Sequence, residues 1–292
     1  MHYKDTVMVL YPGGAYGTFV LWCLYYFSGQ LPNAVLPFLP NGSSHGFKRH
    51  WFDARERNLP FVEEYLEADN TIPFLRTHGI NGRQTLQEYF DSKHKYFSKI
   101  VVLVSDDSSR MLMLNNKYTK TTKSREALLD EIKEIYKKQF AVETEDVPIW
   151  QQREMISYWY NRQFMYEDQW STLHSDNLIQ IPVRQIVDNF ESTLKNIFCL
   201  LDLDLVLEDQ IQPVKQQWLP LQKYTNSDQY CRNMALATYQ GTVFAKPESM
   251  NLWEEAYVQY LLRKVYKKDL KCYNLDVFPT SSLELKELLI DV

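Results

Sequence analysis

Residues 6 to 28 constrain the fold more than any other stretch. Thr6 to Leu10, TVMVL, is apolar and partly β-branched, with charge before it and Pro-Gly-Gly after it. It reads as a buried strand. Gly17 to Ser28, GTFVLWCLYYFS, reads as a strongly apolar helix, stopped by Gly29 and the Pro32 that follows. Between them, YPGGAYG crowds three glycines into a turn. A strand that passes through such a turn into a helix is the corner unit of an α/β protein. It also brings backbone N–H groups and the positive end of a helix dipole to one point. Gly13, Gly14 and Gly17 would let an anion approach the backbone, and Thr18 would add a hydroxyl donor. The full Walker pattern, GxxxxGK[ST], is not met, because Thr18 stands where its lysine would be. An anion site and a tight corner that merely needs glycine both fit these residues.

Further along, Leu31 to Arg49 is rich in proline, glycine and serine and reads as loop. Phe61 to Ala68 and Gln84 to Phe90 read as short helices. Ile72 to Leu75 reads as a short strand ending in RTHG, and Lys99 to Val104, KIVVLV, as the clearest buried strand. It runs into SDDSSR, a polar loop. Ser124 to Phe140 and Met155 to Leu173 read as amphipathic helices, and Asn177 to Val183 holds a fourth strand, LIQIPV. Asp188 to Leu203 reads as one helix. Asp188 is its N-cap and Glu191 completes a capping box, with Phe190, Leu194, Ile197, Phe198 and Leu201 on one face. Trp253, Ala256, Tyr257, Tyr260 and Leu261 form a last helical stripe. Strands alternating with helices predict a mainly parallel sheet covered on both faces.

The chain has 292 residues, 45% of them hydrophobic, which suffices for one large core. A formal net charge of −5 argues against a general nucleic-acid binder. The longest apolar run, Phe19 to Phe27, is too short to span a bilayer. No secretory signal pattern opens the chain, so a cytoplasmic protein without a membrane span is expected. Cys23, Cys199, Cys231 and Cys272 have no metal-ligand spacing, and Cys23 and Cys199 lie in apolar runs that read as core.

Three stretches carry chemistry by residue type. The glycine turn is the first. In FLRTHG, Phe74 to Gly79, His78 falls at a strand's C-terminal end, where α/β sheets place ligands, and an imidazole there is suited to general-base work. Arg76, two residues earlier, would hold an anion. A capped loop with an exposed histidine fits the same residues. In SDDSSR, Ser105 and Arg110 would contact a phosphate, while Asp106 and Asp107 would repel it or hold a metal; a solvated loop is an equally adequate account.

Taken in order, these segments resemble the sulfotransferase family, the P-loop-like enzymes that use 3′-phosphoadenosine 5′-phosphosulfate (PAPS). YPGGAYGTF stands where that family has a loop of the type YPKSGTTW, and Arg76-Thr77-His78 looks like its Lys-Thr-His. KIVVLVSDDSSRMLML is similar in pattern to its strand followed by Arg-x-Pro-x-Asp. IPVRQIVDNFESTLKNIFCLLDL, Ile181 to Leu203, looks like its "VRYEDL–DP–TL–I–FLGL" segment. The resemblance spans residues 6 to about 204 and fades beyond about 205. It implies a single domain over 1–292, a three-layer α/β sandwich with a mainly parallel sheet. It implies PAPS as donor, no metal, and a small-molecule or glycan acceptor with a hydroxyl or amine.

By the same resemblance, Gly13, Gly14, Ala15, Tyr16, Gly17 and Thr18 would wrap the 5′-phosphosulfate through backbone N–H groups, with Phe19 near the adenine. His78 would take the acceptor's proton, and Arg76 would stand for the basic residue beside it. Ser105 falls where the family has its 3′-phosphate arginine, and Met113 near its partner serine. Gly13 or Gly14 replaces the loop's cation, and the C-terminal Arg-Lys-Gly pattern is missing around Gly241 and Lys246. These departures leave two rivals. One is a non-catalytic relative that keeps the fold. The other is a P-loop-like transferase or hydrolase using another nucleotide, with Asp106 or Asp107 on a metal.

Overall fold

The computed structural model describes residues 6–31, 74–78, 97–105, 107–118, 125–140, 155–156, 159–160, 175–221, 227–241 and 252–266. The loop expected over Leu31–Arg49 beyond its first residue, the helices expected at Phe61–Ala68 and Gln84–Phe90, most of Met155–Leu173, Asp106 and Cys272 lie outside those residues. The chain divides into two compact units, Met1–Lys120 with Tyr166–Lys223, and Thr121–Met165 with Tyr224–Val292.

The first unit is mixed α/β around a parallel sheet. Four described strands, β1 (Val7–Tyr11), β2 (Phe74–His78), β3 (Lys99–Val104) and β4 (Leu178–Pro182), lie in the order β2-β1-β3-β4. All three pairings are parallel. The position of each strand explains its composition. Interior β1 is buried along its whole length and interior β3 over Ile100 to Leu103, so both are continuous apolar runs. Strand β4, at the edge of the sheet among the described strands, alternates, with Ile179 and Ile181 buried and Gln180 exposed.

Helix α1 (Gly17–Phe27) follows β1 and is buried on nearly every side, which is why its sequence is apolar all round. It packs on β1 and β2. Tyr25 fixes the second contact: its hydroxyl donates to the Phe74 carbonyl at 2.7 Å, and the two rings meet edge to face at 5.0 Å. Gly29, at φ 75°, ends the helix as expected and donates its N–H to the Tyr26 carbonyl.

Helix α2 (Asp107–Tyr118) begins three residues after the last residue of β3. The polar stretch read as a solvated loop is thus largely the first turn of a helix, and Ser109 and Arg110 are buried. After β4 come α4 (Val183–Asp188) and α5 (Phe190–Leu201), preceded in the chain by α3 (Arg125–Phe140) of the other unit. The single capped helix expected from Asp188 is two helices broken at Asn189, whose backbone leaves helical geometry (φ −131°, ψ 46°). Asp188 caps nothing; its carboxylate accepts from Arg184 Nε at 2.8 Å within α4. The apolar stripe holds: Phe190, Leu194, Ile197, Phe198 and Leu201 are all buried. Cys199 is exposed, because Phe198 and Leu201 take the inward face and leave it turned outward. A short 3₁₀ turn leads into α6 (Ile211–Trp218), which buries Ile211, Val214 and Trp218.

The second unit is helical over its described residues. In α3, Leu128 and Ile132 face inward while Glu126, Asp130, Glu131, Glu134 and Lys138 are exposed. Met155, Ile156, Trp159 and Tyr160 are helical and buried. Helices α7 (Ser227–Gln240) and α8 (Leu252–Lys264) pack together, joined by a hydrogen bond from Arg232 to the Tyr257 hydroxyl at 2.6 Å.

Candidate functional site

The parallel sheet brings the three chemistry-bearing stretches to one edge. Tyr11, which starts the glycine turn, is the register partner of His78. Adjacent parallel strands lie about 5 Å apart, so the two motifs begin as neighbours. Val102 pairs with Leu10, so Ser105, three residues on, leaves the sheet at the same edge. Strand β2, Phe74–His78, runs three residues past Leu75, where the strand expected from the sequence ends. Pairing with β1 draws Arg-Thr-His into the ladder. Arg76 therefore stands inside the strand, opposite Val9, and His78 closes it.

The turn itself is built by close packing. The Ala15 N–H donates to the Pro12 carbonyl at 3.1 Å, which closes a four-residue turn. Its third residue, Gly14, has φ 92°, the left-handed region that a type II turn requires there. Gly14 lies on the Met113 backbone of α2, where a Cβ would meet the Met113 carbonyl. Asn116, from the same helix, donates its side-chain amide to the Gly14 carbonyl at 2.6 Å. Gly17 has a separate reason to be glycine, since the Tyr11 ring occupies the space of a Cβ. That ring carries its hydroxyl to Thr18 Oγ1 at 3.2 Å.

Not every expected contact is presented as an anion would need it. Gly13 is exposed and Gly14 half-buried, but Ala15, Tyr16, Gly17 and Thr18 are buried. The Ala15 N–H is committed to Pro12, and the Thr18 hydroxyl to Tyr11. Tyr16, the N-cap of α1, sits at φ 62°, a left-handed conformation that a bulky residue rarely adopts. Its ring meets Trp218 edge to face at 5.5 Å, and burial pushes its hydroxyl pKa well up. Phe19 is fully buried: Trp218 stacks on it at 4.1 Å and Phe190 at 5.5 Å. An adenine could reach the Phe19 ring on that side only by displacing Trp218. Arg110, 4% exposed, lies one turn before Met113 on α2 and has interactions within the protein.

Sequence reasoning missed α2 and, with it, Asn116 and the packing of the Met113 backbone on Gly14. The signal for the helix was there: a Ser-Asp-Asp cluster followed by MLML is a helix start. No local signal marks Asn116. Among the described residues no group of three or more His, Cys, Asp or Glu is placed to hold a metal, and no helix is long and apolar enough to cross a membrane. No protein-family model matches the chain, and no curated protein matches it either.

Proposed function

We propose that this protein transfers a sulfuryl group from PAPS to a hydroxyl or amine acceptor, on a P-loop-like sulfotransferase fold. The observation that carries the reading is the register pairing of Tyr11 with His78, which sets a candidate base beside a glycine turn and a helix start. A helix start leaves its first N–H groups without intrahelical acceptors and adds a favourable dipole for an anion. In the reaction, the acceptor oxygen or nitrogen attacks sulfur and the bond from sulfur to the 5′-phosphate oxygen breaks. The acceptor's proton passes to His78, and adenosine 3′,5′-bisphosphate leaves with the electron pair. Such chemistry is mainly positioning and stabilisation of charge on the leaving oxygen.

Titration calorimetry with adenosine 3′,5′-bisphosphate tests the reading. Binding in the micromolar range is expected, and no heat at millimolar ligand overturns it. A second reading, a non-catalytic relative of the same fold, is favoured by the stack of Trp218 on Phe19 and by the buried state of Ala15 to Thr18. It predicts that the same titration is flat.

A further inference from the structure

The peptide joining Gly14 to Ala15 is held from both sides. Its carbonyl accepts from Asn116 Nδ2 at 2.6 Å, and its N–H donates to the Pro12 carbonyl at 3.1 Å. A planar trans peptide points these two groups in opposite directions, so the two bonds fix one plane. Gly14 also rests on the Met113 backbone, three residues before Asn116 on the same helix. Three contacts thus seat the turn, and two of them come from α2. The N–H groups of Gly13 and Gly14 make no backbone hydrogen bond among the described residues.

We propose that Asn116 is a positioning residue of the donor loop: by holding the Gly14–Ala15 peptide it presents the Gly13 and Gly14 N–H groups in one fixed turn to the phosphosulfate of the donor. The inference rests on the donor-site reading above. Its physical basis is the freedom of glycine. Two glycines in sequence populate several turn types unless something selects one. A loop that must be ordered on binding loses affinity by the fraction of time it spends in the wrong form. No cation stands in this loop to compensate, so the amide geometry carries more of the load.

The test uses the full chain as wild type, Asn116→Ala and Asn116→His. Two quantities are measured: the dissociation constant for adenosine 3′,5′-bisphosphate, and the hydrogen-exchange rate of the Ala15 amide without ligand. Alanine should weaken binding and speed Ala15 exchange, each by about tenfold, the equivalent of one hydrogen bond. Histidine, whose Nδ1–H falls close to the asparagine amide, should recover most of both. Asn116 is half-buried, so neither change is expected to unfold the chain. Faster exchange with affinity within twofold of wild type overturns the positioning role and leaves Asn116 a purely structural residue. Unchanged exchange overturns it as well. Failure of the wild type itself to bind overturns the donor-site reading, and the exchange arm then still reports whether Asn116 holds the turn.

Discussion

Gly17→Ala isolates the packing of the corner from its chemistry. Gly17 is the first residue of α1 and has no positive φ, so alanine suits the backbone. The obstacle is space. A Cβ there would lie well under 3.0 Å from Cγ, Cδ1 and Cε1 of Tyr11. Carbon atoms in contact sit about 3.5–4.0 Å apart, so the ring must retreat by roughly 1 Å or more. Tyr11 is 2% exposed and enclosed, so this is overpacking, at about 1–3 kcal/mol. Retreat also breaks the hydroxyl bond to Thr18, at about 1 kcal/mol. Against this, alanine lowers the entropy of the unfolded chain, a gain of about 0.4–1 kcal/mol. The net expectation is a loss of about 1–3.5 kcal/mol. Native-state hydrogen exchange of the β1 amides measures it within this unit alone. The decisive comparison is a cycle with Tyr11→Ala, which removes the ring. If the clash is the mechanism, the double variant is less destabilised than the sum of the single ones by at least about 1 kcal/mol. Additivity within about 0.5 kcal/mol refutes the reasoning.

Four further outcomes are expected. His78→Ala should slow release of adenosine 3′,5′-bisphosphate from the donor by about 10²–10⁴-fold across a panel of hydroxyl acceptors, with bisphosphate affinity kept within about twofold; an unchanged rate removes His78 as the base. Gly13→Ala, at an exposed position, should leave stability within about 0.5 kcal/mol and yet weaken bisphosphate binding, since a methyl group would stand where the anion approaches the turn. Cys199 should be alkylated in the native protein while Cys23, buried and with its thiol pKa pushed up by burial, reacts only on unfolding; mass spectrometry of labelled peptides decides. Hydrogen bonds from Lys195 and Gln212, with the Lys195 charge, hold the Glu191 carboxyl below its usual pKa, so its contribution to stability is present above about pH 4.3 and is lost as pH falls through the lowered value. Lys195→Met should raise the Glu191 pKa in an NMR titration, and a fixed value would show that Lys195 does not control it.

Where a segment's burial is extreme, the sequence was enough. An interior strand of a parallel sheet has no polar face, so TVMVL and KIVVLV announce themselves, and LIQIPV shows the alternation of an edge. The errors fall where a distant partner decides. Arg76-Thr77-His78 carries no strand signal, yet it pairs with β1 in parallel register, His78 opposite Tyr11. Asp188 has cap spacing, but Arg184 takes its carboxylate one turn earlier and Asn189 breaks the helix instead. Asn116 is 102 residues from the carbonyl it holds, and no local pattern reaches that far.

The glycines of the turn therefore carry different weights. Gly14 is required by its φ of 92° and by the Met113 backbone, and Gly17 by the Tyr11 ring, in a catalyst and a non-catalytic relative alike. Their presence is no argument for a ligand. Gly13 is exposed, and in the proposed reading its N–H meets the anion. The absent lysine then takes on a specific physical meaning. With no cation in the loop, attraction must come from amide dipoles, and these favour an anion strongly only when they are already aligned. Alignment is what the seat on α2 supplies. The stretch from Asp107 to Tyr118 thus matters as much to the proposed chemistry as the glycine turn it supports.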